Sequence, residues 1–221
     1  MTIKERFLKW KTTESAKLKT MSFRQKLSYI LYYYKGWIIG FIIFLMFAGY
    51  VGDAVSQAHK EVVIQGFFTN DDYGLFNASK IEKEYGSTLE LSKKQCVIFD
   101  DALYIDLGGE ATEYTAASNG KLIAYMATNE LDFVVTTQAV LEHYLDQAPM
   151  LDFQNLLDEA TFQRFQDYMY SYNGSYVALD MSQSRFIRDV DYDMDETYYM
   201  FVPMLAPNPN QICDFIAWCF E

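Results

Sequence analysis

The sequence predicts an α/β protein: a single N-terminal transmembrane helix followed by one extracytoplasmic domain. Three observations carry that prediction. Residues 36–52 (GWIIGFIIFLMFAGYVG) contain no charge and are apolar around the whole helical circumference, which suits lipid rather than an aqueous face. The first 35 residues hold nine Lys and Arg against Glu5 and Glu14, a net of +7, whereas the rest of the chain holds nine basic and 28 acidic residues, a net of −19. Short Lys/Arg-rich segments stay on the cytoplasmic side, so the N-terminus is expected inside and the acidic body outside. Beyond Gly52, strand-like apolar runs alternate with helical periodicity, the pattern of a mainly parallel sheet with connecting helices.

The expected organisation is a basic cytoplasmic arm and juxtamembrane helix (1–35), a transmembrane helix (36–52), a linker (53–60) and a domain (61–221). In the arm, Ile3, Phe7 and Trp10 share one helical face among lysines and Arg6, the pattern of a helix lying on an anionic surface; a disordered basic tail up to Met21 is the other reading. Ser22 and Gln25 have capping-box spacing, so a helix should start at Phe23 and run unbroken through Tyr34 into the membrane. At about 1.5 Å per residue the apolar run is slightly short of a hydrocarbon core. Lys35 can snorkel, and Tyr32, Tyr33, Tyr34 and Trp37 suit the lipid–water interface. The competing reading, a cleaved signal peptide with small residues at Ala54 and Ala58, requires an unusually long n-region. Gly36 and Gly40 form a GxxxG pair through which two copies of the helix can approach.

In the body, residues 61–68 (EVVIQGFF) read as a strand. Residues 79–85 read as a short helix closed by Gly86 in the left-handed region. A second strand spans 94–99 (KQCVIF), ending at Asp100 and Asp101. A helix over 113–128 should turn Tyr114, Ala117, Leu122 and Tyr125 or Met126 inward. The run 131–136 (LDFVVT) is apolar enough for a strand covered on both faces. Helices follow at 138–146, 153–157 and 162–170, the last with Thr161 as N-cap. Asn173-Gly174 turns the chain, strands occupy 175–179 and 198–202, and a final helix at 211–220 buries Ile212, Phe215, Ile216 and Phe220.

Residues 120–137, then 141–145 and 151–156, resemble the middle of type 2 extracellular solute-binding proteins. In that family a helix ending in small residues leads into a Leu-Asp-hydrophobic-hydrophobic strand, here Leu131-Asp132-Phe133-Val134. Residues 198–220 are similar to the family's return strand, turn and final helix. The resemblance implies a three-layer, reduced periplasmic-binding-protein fold. Family members commonly have two lobes and are nearly twice this length. The chain also resembles small, one-span, tyrosine-flanked proteins of Gram-positive gut bacteria.

Candidate ligand-binding residues are Asp100 and Asp101 at a strand end, Thr136 and Thr137 at the end of the resembling strand, and Tyr170 and Tyr172 of a tyrosine cluster beside Asn173-Gly174. Paired acids after a strand are also ordinary caps or turns, and tyrosines at a core margin look the same in sequence. Asp189, Asp191, Asp193 and Asp195 alternate along the chain and form the candidate cation site, although the EF-hand pattern fails where Met194 and Met200 stand; a solvated acidic loop is the alternative. His59 and His143 lack metal-site spacing, and no nucleophile elbow, phosphate loop or HExxH motif is present. No cofactor and no catalysis are expected. Cys96, Cys213 and Cys219 are expected as buried thiols. The acidic body disfavours nucleic acid as a partner; the expected partners are the lipid bilayer and other membrane or envelope proteins. The functional expectation is a tethered binding or sensing module, such as an accessory subunit of a transporter or envelope complex. The alternative is a scaffold that binds no small ligand.

Overall fold

A computed structural model of the chain describes Glu5, Thr12 and residues 21–58, 60–109, 112–191 and 194–221. The surface helix expected around Ile3, Phe7 and Trp10 lies outside the described residues, as do His59 and Asp193. The chain divides into two units, Met1–His59 and Lys60–Glu221.

The first unit contains α1 (Phe23–Tyr33) and α2 (Lys35–Ala58). The Ser22 backbone N–H donates to Gln25 Oε1 at 2.9 Å, one half of the expected capping box. The helix does not run unbroken into the apolar run: it breaks at Tyr34, whose carbonyl accepts from Ile38 N–H at 2.9 Å to open α2. Three consecutive tyrosines followed by Gly36 make this the poorest helix-forming stretch of the region. Residues Lys35–Gly52 are long and apolar enough to cross a membrane by length and composition. The 53–60 stretch, expected as a linker, continues the helix through Ala58.

The second unit is built on six strands, β1 (Glu61–Thr69), β2 (Gln95–Leu103), β3 (Phe133–Thr137), β4 (Met169–Tyr172), β5 (Ser175–Asp180) and β6 (Tyr198–Phe201). They are ordered β2-β1-β3-β6-β5-β4 across one sheet. β1 pairs in parallel with β2 and β3, while β3–β6, β6–β5 and β5–β4 are antiparallel. The expected mainly parallel sheet is therefore mixed. One reason is local: Asn173 (φ 49°) and Gly174 (φ 85°) make a two-residue connection between β4 and β5, which only an antiparallel pair can use.

The helices are α3 (Ala78–Thr88), α4 (Glu113–Ala127), α5 (Gln138–Tyr144), α6 (Phe153–Leu156), α7 (Glu159–Phe165) and α8 (Pro209–Cys219). Gly86 sits inside α3 instead of ending it. The Ser87 and Thr88 hydroxyls donate to the carbonyls of Glu84 and Tyr85, each at 2.7 Å, so those terminal acceptors need no left-handed residue. α7 is capped by Asp158, not Thr161; Asp158 Oδ1 accepts from the N–H groups of Ala160 and Thr161 at 3.0 and 3.1 Å. It stops at Phe165, and the stretch expected to stay helical to Tyr170 becomes a 3-10 turn and then β4.

Side chains alternate across the sheet. On one face Ile64, Phe68, Phe99, Phe133 and Val135 pack with Tyr85 of α3, Phe162 of α7 and Phe215 of α8. On the other, Phe67, Val134 and Phe201 pack with Leu122 of α4 and Leu141 of α5. Helices thus cover both faces, and β3 is buried throughout, as a continuous apolar strand requires. The Phe133 ring lies over Gly66, where any Cβ would overlap it; it stacks on Phe215 at 4.7 Å between centroids. On α4, Leu122 is buried as expected, but Tyr114 and Ala117 are exposed: the Tyr114 hydroxyl reaches outward to the Ala102 carbonyl on edge strand β2.

Candidate functional site

Asp132, in the lead-in to β3, is fully buried. Its Oδ2 accepts from the Gln65 N–H at 2.7 Å and from Asn208 Nδ2 at 3.2 Å, and its Oδ1 accepts from the Asn208 N–H at 2.9 Å. Its own N–H donates to the Gln65 carbonyl at 2.9 Å. Burial pushes this carboxyl up, and the bonds from Gln65 and Asn208 oppose that rise. The geometric result is that one carboxylate fixes β1 to the loop ahead of α8.

Gln65 and Asn208 both line a cleft of about 520 Å³ on the α4 face of the sheet, within the size range of small-molecule sites. Phe67 lines it from β1, Ile98 and Asp100 from β2, Lys121 and Tyr125 from α4, and Asn129 and Glu130 from the following turn. In the β1–β2 register Gln65 faces Ile98 and Phe67 faces Asp100, which puts these four on the same side of the sheet. Asn129 holds φ 59°, a left-handed conformation that Asn tolerates better than most residues.

Two features give the cleft chemical character. Gln65 is only 7 % exposed, and its side-chain amide has no hydrogen-bond partner among the described residues. The amide still meets solvent, since the fully enclosed side-chain polar atom without a partner among the described residues is Ser184 Oγ, so it is open to a partner from the cleft. Lys121 Nζ donates to Asp100 Oδ2 at 2.5 Å and sits 5.3 and 5.8 Å from the ring centroids of Phe67 and Tyr125. Burial pushes the Asp100 carboxyl up, but the Lys121 ammonium and the Ala102 N–H outweigh it and hold the group below the usual carboxylate range. Glu130 has no cation within ion-pair distance among the described residues.

On the other flank of α4 lies a second, apolar hollow of about 250 Å³, between Ile123 and Met126 on one side and Tyr144, Pro149 and Pro203–Leu205 on the other. Ile123, Met204 and Leu205 at its rim are 46 %, 45 % and 54 % exposed.

Of the residues singled out from sequence, only Asp100 lines the polar cleft. Asp100 and Asp101 lie inside β2, which runs on to Leu103, not at its end; the Asp101 carboxylate accepts from the Ala78 N–H at 2.9 Å in the first turn of α3, whose N-cap is Asn77. Thr136 is fully buried and its hydroxyl accepts from Thr69 at 2.7 Å. Thr137 is buried at the start of α5. Beside them the C-terminal end of the parallel strands is closed by Asn70, which exchanges two bonds with the Ile105 backbone and accepts from the Tyr198 hydroxyl.

Tyr170 and Tyr172 lie on β4, at the sheet edge opposite β2, and donate to α5-side carboxylates: to Glu142 at 3.1 Å and to Asp146 at 2.6 Å. Asp189 approaches Arg188 at 3.6 Å. Asp191 and Asp195 are exposed, and among the described residues no three His, Cys, Asp or Glu side chains converge on a point that could hold a metal. Tyr32 and Trp37 are exposed, Lys35 opens α2, Tyr34 is the junction, and the Tyr33 side chain lies outside the described atoms. The three cysteines are free; Cys219 is buried, but Cys96 and Cys213 are only half-buried.

Gln65, Lys121, Asp132 and Asn208 were not among the candidate site residues read from sequence, where Asp132 stood only in the resembling Leu-Asp strand, although three of them carry a signal. Gln65 and Asp132 are the lone polar residues inside otherwise apolar strand runs, and Lys121 is the one Lys or Arg between Lys94 and Arg164. Asn208 carries none. No family model, curated protein or solved structure matches the chain.

Proposed function

We propose that this chain is a membrane-anchored, extracytoplasmic binding or sensing module whose α/β domain takes a small polar solute in the cleft beside α4. The observation that carries the reading is Gln65, a residue nine-tenths buried whose side-chain amide has no hydrogen-bond partner among the described residues and which Asp132 holds at the cleft wall through its backbone. Convergent polar groups over aromatic faces are what a recognition pocket needs. The Leu-Asp-hydrophobic-hydrophobic resemblance supports a reduced solute-binding fold. The uncharged stretch of α2 and the +7 arm support an N-inside anchor in the lipid bilayer, and the acidic body supports a role away from nucleic acid. An accessory subunit of a transporter or envelope complex fits this arrangement.

The test is thermal stabilisation of the full-length protein in nanodiscs, screened against sugars, amino acids, peptides, organic anions and divalent ions. A stabilising solute is expected, about 2.7 kcal/mol at a hundredfold excess over Kd, with the shift abolished by Gln65→Met. Absence of any shift across the screen overturns the reading. A specific observation favours a second reading: the exposed apolar rim of Ile123, Met204 and Leu205 is the kind of patch that mediates protein association, as a scaffold without a small ligand requires. Photo-crosslinkers placed at Met204 in cells discriminate the two: a discrete protein adduct together with a silent ligand screen supports the scaffold.

A further inference from the structure

Resting on that cleft reading, we propose that the cleft selects solutes that carry a protonated amine beside a hydrogen-bonding group. Three ionised side chains line it: Asp100, Lys121 and Glu130. The Lys121 charge is already committed to Asp100 at 2.5 Å and to the faces of Phe67 and Tyr125. Glu130 is left without a counter-charge among the described residues, so the cleft carries one net negative charge.

An anionic solute would have to compete with Asp100 for Lys121 while facing Glu130, and a like-charge approach of this kind is penalised. A neutral solute can satisfy the Gln65 amide and the Asn208 side-chain Oδ1, which has no partner among the described residues, but leaves Glu130 unpaired. A protonated amine donates to Glu130 while a neighbouring hydroxyl or carbonyl on the same molecule meets Gln65. The strongly acidic body adds a field that draws cations toward it. A zwitterion remains acceptable, because Lys121 has further N–H donors beyond the one given to Asp100.

Amino acids, amino alcohols and amino sugars share this chemistry, and matched pairs separate them. Isothermal titration of the full-length chain in uncharged phosphatidylcholine nanodiscs compares alanine with lactate, ethanolamine with ethylene glycol, and glucosamine with glucose. In at least one pair the amine is expected to bind about three- to fivefold more tightly than its amine-free partner; the pair that responds identifies the source. Glu130 is exposed, so Glu130→Gln should weaken that amine about three- to fivefold, the upper range of an exposed ion pair, and leave the amine-free compound unchanged. Equal binding within every pair, no binding in any pair, or indifference to Glu130→Gln overturns the amine inference. Gln65→Met, checked for an unchanged unliganded Tm, separates this from the parent reading. If equal binding within a pair is lost in that variant, the cleft stands and the amine selectivity falls; amine binding that survives it places the amine elsewhere and overturns the cleft itself.

Discussion

Gly66 and Phe133 form the tightest residue-level constraint in the body. The Phe133 ring occupies the space of a Gly66 side chain and anchors an aromatic group with Phe68, Phe99 and Phe215. Gly66→Ala is therefore expected to lower stability by about 1–3 kcal/mol, the usual cost of overpacking a rigid neighbour, measured as a fall in the urea midpoint. At Asp132 every carboxylate oxygen already faces an N–H donor. In Asp132→Asn the new amide must point a donor at a donor whichever way it flips, at a cost of about 1–3 kcal/mol, again read by urea unfolding. The Asp100–Lys121 pair gives a pH prediction. A carboxyl held below its ordinary value contributes stability that is present above the unfolded pKa, about 3.9, and is lost as pH falls through the lower folded value. Wild type should thus exceed Lys121→Met by up to about 1 kcal/mol at pH 7, and the two should converge in acid as Asp100 protonates; a gap that persists at low pH would show that the lysine acts by packing alone.

At the scale of elements, α4 does most to set the candidate site, since the polar cleft lies on one flank and the apolar hollow on the other. Its sequence hides this: Lys121 and Tyr125 are one turn apart and share a side, while Ile123 and Met126 project to the other. The β4–β5 hairpin is simpler. Asn173 and Gly174 both hold positive φ, as the favoured two-residue hairpin turn demands. Gly174→Ala should cost about 1–2 kcal/mol through the left-handed conformation alone, visible as faster amide exchange in β4 while the parallel strands stay protected. The strands β1 and β3 were legible because continuous apolar runs bounded by turn residues admit few alternatives. The 166–170 stretch was not, because its residues suit either helix or strand, and pairing with β5 decides between them.

For the whole molecule, the charge split around the uncharged run 36–52 makes a prediction that needs no ligand. The full chain should sediment with membranes, resist alkaline carbonate and dissolve in detergent. Protease added to intact cells should degrade the C-terminal body and spare the arm before Lys35. A body protected until the cells are lysed would reverse the proposed orientation.

What the sequence determined by itself is whatever depends on near neighbours or on bulk composition. That covers the span-length apolar helix, the start of α1 at Phe23, the positions of β1, β3 and α8, the Asn-Gly turn and the opposite charges of arm and body. It placed Asp100 among candidate residues but put it at a strand end, and it grouped Thr136, Thr137, Tyr170 and Tyr172 with it. Only the tertiary structure made the sheet mixed, buried Thr136 against Thr69, moved the tyrosines to the far edge and brought Gln65, Lys121 and Asn208 to one cleft. These residues are separated by scores of positions along the chain, and their meeting depends on strand order and on one buried carboxylate. Periodicity reports which face a side chain takes, whereas long-range packing decides what stands opposite that face.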